Sequence, residues 1–373
     1  MTSPAFITST GAFLPGPALS IDELEPILGL VDGRPSRLKK RILEANGIHT
    51  RHYAINAAHE TVYTNEDMAT EAVLACLAGT GVRPHDIGML SCATSQGDRV
   101  LPGFASMVQG RLKIPAVEIH SAHGICSSGA MALRAAVNSV RLGDHERALV
   151  VSSELASRLF KHTRYEAAGG QDNIDLQAAF LRWMLSDGAG AFLVEAKPRG
   201  LSLRVDWMRA FSHADAYGVC MSVGAPTDKT DTRTWQDFPT YAEAEAAGAL
   251  LIRQDIRLLE NILRLGVDGC LRLIDEGALD VNAIDHFLCH YSSHHFKGRV
   301  FKLLEMAGAL IPEEKWYTNL YHRGNTGCAS IFIMLDEFLR DGRASPGDTI
   351  LCMVPESGRF NTAYIHLTVV EDA

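Results

Sequence analysis

Cys126-Ser-Ser-Gly-Ala-Met-Ala132 opens a helical pattern that stops at Gly143-Asp144 and gives way to the apolar run Ala148-Leu-Val-Val151, ending in Ser152-Ser-Glu154. Far along the chain the order recurs. Gly327-Cys-Ala-Ser-Ile331 opens a second helical pattern that stops near Gly342, and Gly347-Asp348 leads into Thr349-Ile-Leu-Cys-Met-Val354, ending in Glu356-Ser357. Helices that stop at glycine followed by a short apolar run are units of a layered α/β fold. Two such units in one chain point to a duplicated architecture, the alternative being chance likeness between ordinary strand–helix–strand stretches.

Outward from these units, further strands are predicted at Ile87–Cys92, Ala148–Ser152, Ala189–Glu195, Ile284–Cys289, Thr349–Val354 and Ala363–Val369. Helical periodicity is expected over Thr64–Thr80, Gly103–Leu112, Ser127–Leu142, Ala249–Glu276, His294–Ala307 and Ala329–Asp341. Segments 160–177 and 212–247, rich in Gly, Asp, Thr and Tyr, fit neither period and read as insertions or lids over a site.

The 373 residues suit about two domain-sized units, and 47% hydrophobic with 21% charged residues excludes a disordered or fibrous chain. With 35 Lys+Arg against 44 Asp+Glu the net charge is −9, which repels phosphate backbones, so nucleic acid is not an expected partner. Met1–Leu14 lacks the form of a signal peptide and no run reaches the length of a membrane span, so a soluble, cytoplasmic protein is expected. Eight cysteines spread singly, with no CxxC pair, support neither a disulfide scaffold nor a four-cysteine zinc site.

One cysteine stands apart. In Glu118-Ile-His-Ser-Ala-His-Gly-Ile-Cys126-Ser-Ser-Gly-Ala130 it lies between an extended stretch and a helix whose first turn is made of small residues. Free N–H groups and the positive end of a helix favour a thiolate there and stabilise an oxyanion formed beside it. His290, ending Phe287-Leu-Cys-His290, and Asn325, in the turn Gly324-Asn-Thr-Gly327, sit at ends of elements where they can donate hydrogen bonds into a shared cleft. Each alone reads equally as a structural cysteine, a core histidine or a turn asparagine.

Taken with Leu101-Pro-Gly-Phe-Ala-Ser-Met-Val-Gln109, Ser186-Asp-Gly-Ala-Gly-Ala191, Asp285-His-Phe-Leu-Cys-His290, His322-Arg-Gly-Asn-Thr-Gly-Cys-Ala-Ser330 and Leu335–Asp348, in this order, the chain resembles the β-ketoacyl-acyl-carrier-protein synthase III family of the thiolase superfamily. The resemblance implies duplicated βαβαβαββ halves in five α-β-α-β-α layers, here 1–198 and 199–373. It implies Cys126 as the nucleophile that takes an acyl group, His290 and Asn325 as donors for decarboxylative condensation with a malonyl thioester, and the N–H groups of Cys126 and Gly358 as an oxyanion hole. It further implies Leu101 as part of the acyl pocket, within the chain or across a dimer interface as in the family, Ser293 and Phe360 along the substrate path, and a carrier-docking surface at Lys297, Arg299 and Lys302. The expected partners are acyl-CoA or acyl-carrier substrates, an acyl carrier protein and a second copy in a homodimer. No metal or redox cofactor is expected beyond the CoA or phosphopantetheine thioesters themselves.

The chain departs from the family pattern in places. Ser127-Ser128-Gly129 replaces Ala-Gly-Phe after the nucleophile, Ser293 stands where an asparagine is usual, and the C-terminal glycine-rich loop is reduced to Ser357-Gly358-Arg359. Arg41 and Ala45 do not match the usual adenine sandwich. Two rival readings are a zinc hydrolase, from the helical spacing of His290 and His294, and a non-catalytic partner subunit. The first lacks the adjacent glutamate of a zinc protease, and the second typically lacks the nucleophile that this chain keeps.

Overall fold

The computed structural model describes residues 3–372. Five strands of the first half lie in the spatial order Phe6–Phe13, Gly188–Glu195, Arg147–Glu154, Met89–Thr94 and Glu118–His123. Five of the second half repeat it as Leu201–Ser212, Asn361–Glu371, Thr349–Glu356, His286–Cys289 and Trp316–Tyr317. In each half the first two pairings are antiparallel and the last two parallel. The halves meet where Phe6 and Ile7 pair with Arg204 and Leu203.

Strand alternation builds the layers, because successive side chains face opposite sides of a sheet. Val150 and Phe192 face inward and, with Leu288, Ile350, Cys352 and Ile365 of the other half, pack on helices Ser128–Leu142 and Ser330–Arg340. Leu149, Val151 and Leu90 face outward against helices Asn65–Leu77 and Phe104–Leu112. Leu351 and Met353 do the same against Leu259–Asp275 and His294–Met306. The result is the thiolase fold, α-β-α-β-α, with both central helices shared by the two halves.

That shared layer is tight. Phe192 and Phe332 stack at 4.1 Å, and a Cβ on Gly129 would lie 2.6 Å from the Cys328 carbonyl oxygen and 2.9 Å from the Phe332 ring. The departure at Gly129 therefore has a packing reason: the helix opened by Cys126 touches the turn that follows Asn325. Gly129→Ala is expected to destabilise the protein by about 1–3 kcal/mol through overpacking, read as a lowered denaturant midpoint at constant slope.

Three expectations need correction. The helix expected over Ala249–Glu276 begins only at Leu259. Residues 249–252 are apolar because Leu251 and Ile252 are buried as irregular chain, after which Arg253–Gln254 forms a short strand with Met221–Ser222. Strands Phe6–Phe13 and Leu201–Ser212 were not expected, although they form the seam between the halves. Insertions 160–177 and 212–247 also carry structure, including the short helices His162–Ala167 and Tyr241–Ala246.

Candidate active site

Cys126 lies on the turn between strand Glu118–His123 and helix Ser128–Leu142, and only 6% of it is exposed. Among the described residues, neither its own N–H nor that of Gly358 donates to a backbone carbonyl. A Cβ on Gly358 would touch Ile125, which places that loop against the residue before the nucleophile.

His290 follows strand His286–Cys289, its N–H donating to the Met353 carbonyl at 2.9 Å. Its side chain is buried, and Nε2 has no protein partner. Burial pushes its pKa down to about 4, so the ring is neutral at physiological pH and can carry one N–H as a donor. Asn325 is held by the main chain: its carbonyl accepts from Ser186 N–H at 2.8 Å, and its N–H donates to Met184 at 3.3 Å. Its Oδ1 accepts from Gly327 N–H at 2.9 Å, which leaves Nδ2 as the end free to donate.

Cys126, His290 and Asn325 line one cavity, with about 890 Å³ of space, part of it open to solvent. Its wall is mostly apolar: Leu155, Leu159 and Phe180 flank the first insertion, Met221 belongs to the second, and Ile252, Leu259 and Leu263 follow it. A surface groove shares Phe180, Leu259 and Phe296 with the cavity and is rimmed by Arg41, Arg257, His295 and Arg299. Together they form an apolar cavity beneath a mouth whose charged groups are Arg41, Arg257 and Arg299, with Glu260 among them.

Two carboxylates complete the site, and sequence reasoning assigned neither. Buried Glu154 accepts from Ser95 Oγ at 2.5 Å and from Cys328 N–H at 3.2 Å, tying the first half to the turn that presents Asn325. Gly327 has φ +55, and a Cβ there would lie 2.9 Å from Glu154 Oε1, so the turn needs glycine for both backbone and space. Glu356 Oε2 accepts from Ser127 N–H at 3.1 Å and Oγ at 2.5 Å, while Asn361 Nδ2 donates to Ser127 Oγ at 2.8 Å. The family departure at Ser127 is thereby matched by an acid at 356. The sequence signal was that each glutamate ends one of the two repeated units, at Ser152-Ser-Glu154 and Glu356-Ser357.

These groups correct the expected state of the nucleophile. Burial, then Glu356 and Glu154, raise the Cys126 thiol well above its ordinary pKa. Without substrate, Cys126 is a thiol. All eight cysteines are free and buried.

The other expected residues are dispersed. Leu101 is 81% exposed and lies outside this chain's cavity. Ser293 precedes helix His294–Met306 and lines the mouth. Phe360, buried at φ +62, packs on Tyr217 with ring centroids 4.8 Å apart and does not line the cavity. Lys297 pairs with Glu313 at 2.8 Å and Arg299 with Glu260 at 2.5 Å, while Lys302 is exposed on the same helix. His294 is hydrogen-bonded through Nδ1 to Tyr321 at 2.8 Å, apart from the cavity that His290 lines. Among the described residues no group of three or more His, Cys, Asp or Glu side chains could hold a metal ion. No helix there is long and apolar enough to cross a membrane.

Comparison with known proteins agrees with this geometry. Residues 53–199 match the family described as "Beta-ketoacyl synthase, N-terminal domain", and 274–361 match "3-Oxoacyl-[acyl-carrier-protein (ACP)] synthase III C terminal". The β-ketoacyl-[acyl-carrier-protein] synthase III of Rhizorhabdus wittichii is 26% identical over 93% of this chain and 94% of its own. That of Bordetella petrii is 27% identical over 93% of each. The solved structure of the tetronic acid condensing enzyme AbyA1 shares the fold with a TM-score of 0.77, at 20% identity over 98% of this chain and 99% of its own. These matches support a divergent chain similar to the β-ketoacyl-acyl-carrier-protein synthase III family of thiolase-superfamily condensing enzymes over most of its length.

Proposed function

We propose that the protein is an acyltransferase that condenses two thioesters through an acyl-enzyme on Cys126. In loading, Sγ attacks the thioester carbonyl, the acyl–sulfur bond of the donor breaks, and the Cys126 proton leaves with the departing thiol. In condensation, a malonyl thioester loses CO2, and its enolate forms a carbon–carbon bond with the acyl carbon. The bond to Sγ then breaks, and the thiolate takes a proton from water. His290 and Asn325 donate to the enolate oxygen, and the N–H groups of Cys126 and Gly358 hold the acyl oxygen. The observation that carries this reading is the convergence of Cys126, His290 and Asn325 on one cavity, with His290 Nε2 buried and unpartnered. These steps require thioester substrates and no metal or redox group.

The basic mouth suits the phosphate of a phosphopantetheine arm, which CoA and a carrier protein share. An acidic acyl carrier protein is the proposed partner at Lys297, Arg299 and Lys302. A homodimer is inferred from the edge strand Glu118–His123, where Ile119 is 41% exposed, and from Val100 and Leu101, 78% and 81% exposed; a second copy would cover both. Eight unpaired cysteines fit a reducing cytoplasm. The test is condensation of an acyl-CoA with malonyl carrier protein by the parent and by Lys297→Glu/Lys302→Glu, which leaves the residues of the mouth unchanged. The parent should release one CO2 per 3-oxoacyl product. The variant should show a KM for the carrier substrate raised about tenfold at low salt, with acyl-CoA loading spared. CO2 release without condensed product would contradict the function, and an unchanged KM would move the docking surface elsewhere.

A further inference from the structure

The cavity wall contributed by the segment after the second insertion holds one polar side chain among apolar neighbours. Gln254 is 1% exposed, lines the catalytic cavity, and shares that wall with Met221, Ile252, Leu259, Ile262 and Leu263. Burying an amide in such surroundings costs free energy unless its donors and acceptor are met. Its partners are poor ones: Oε1 accepts from Ser357 Oγ at 3.3 Å, and Nε2 donates to the Cys220 sulfur at 3.1 Å, a weak acceptor. Nε2 thus has two N–H groups and only a sulfur as acceptor.

Its position relative to the reacting atoms is set by the backbone. Gln254 pairs with Met221 across the short strands, and the N–H groups of Cys220 and Met221 both donate to the Gly358 carbonyl, at 2.9 and 3.3 Å. Ser357, which bonds Gln254, is the neighbour of Gly358. The Gln254 amide is therefore tied to the loop that carries Gly358, whose N–H is the proposed donor to the thioester oxygen. The nearby charges are carboxylates: Glu356 on that loop, Glu154 in the same cavity, and Asp255, which Arg257 and Lys229 neutralise at 2.8 and 2.5 Å. Of these, Glu356 and Glu154 disfavour an anionic group beside Gln254 and favour a neutral oxygen.

We propose that Gln254 is a specificity-determining residue that donates to a neutral oxygen, a hydroxyl or ketone on carbon 3, of the acyl group loaded on Cys126. The natural donor is then an oxygenated acyl thioester rather than a saturated one. The assignment rests on the acyl-enzyme reading above. A site built to hydrogen-bond a substrate oxygen discriminates against the analogue that lacks it, because the buried donors are left unmet.

The test measures loading of the parent and of Gln254→Met by a 3-hydroxyacyl-CoA and by the saturated acyl-CoA of equal length, read as intact mass against time, with thermal unfolding as a check on folding. The parent should load the 3-hydroxy substrate at least about tenfold faster in kcat/KM. Gln254→Met should lose most of that ratio, by a fall on the oxygenated substrate together with a rise on the saturated one. Three outcomes overturn the assignment: no preference in the parent, an equal fall on both substrates in the variant, or an effect confined to the KM of the malonyl thioester. Loading without preference rejects Gln254 alone, whereas no loading by either thioester rejects the acyl-enzyme itself.

Discussion

Cys126→Ser is expected to lose the acyl adduct on incubation with an acyl-CoA and to cut condensation at least about a thousandfold, with the fold retained. A serine hydroxyl fills the same space but is a far weaker nucleophile, and Glu356 and Glu154 already oppose charge on the group at this position. The same electrostatics set the direction of the pH dependence. Because the thiol is raised, its alkylation by a small neutral reagent in the absence of substrate should be slow near neutral pH and should climb into the alkaline range. Fast alkylation at neutral pH would show that the helix end outweighs burial and the two carboxylates. An acyl adduct surviving in Cys126→Ser would move the nucleophile to another cysteine.

His290→Ala and Asn325→Ala are expected to separate the two half-reactions. Each removes a donor aimed at charge that develops only on decarboxylation, so malonyl decarboxylation should fall by about a hundredfold or more, while loading of Cys126 changes by less than about tenfold. The physical ground is the state of His290, whose pKa of about 4 keeps it neutral and whose buried Nε2 has no other partner. If both half-reactions fall together, His290 acts chiefly on the thiol, as a base for Cys126, and the assignment of its donor role is wrong. Double substitution should cost little more than either alone if the two donors hold one oxygen.

Much of the fold was legible because strands and helices in the two halves carry local signals. Gly143 ends the helix of Cys126 in the left-handed region at φ 80, where the Leu142-Gly143-Asp144 signal placed the stop. The repeat was visible because Glu154 and Glu356 end equivalent strands, Arg147–Glu154 and Thr349–Glu356. What failed were segments whose apolar content serves a different end. Residues 249–252 looked like the start of a helix because they are apolar, yet part of that run lines a cavity, where burial needs no period. Strand Leu201–Ser212 carries Arg204, Asp206 and Arg209 among its apolar residues, which masked a strand lodged between two neighbours.

The site followed the same division. Cys126, His290 and Asn325 sit at element ends with distinctive neighbours, which made them readable one by one, and the family order bound them together. Glu356 and Ser127 were unreadable as a pair because 229 positions separate them and only folding brings them to hydrogen-bond distance. Leu101 and Phe360 show the reverse: residues that matched a pattern but that lie, respectively, on the surface and behind the cavity wall of a single chain.

The central claim is that one acyl group resides on Cys126 and is consumed by condensation. A single-turnover experiment with peptide mapping tests it directly: the protein is loaded with an acyl thioester, freed of excess donor, and mixed with malonyl carrier protein. One acyl group per chain should map to the peptide that contains Cys126, and it should disappear as an equal amount of CO2 and 3-oxoacyl product forms. Acyl label on Cys289 or Cys328, or condensed product formed while the Cys126 adduct persists, would contradict the account.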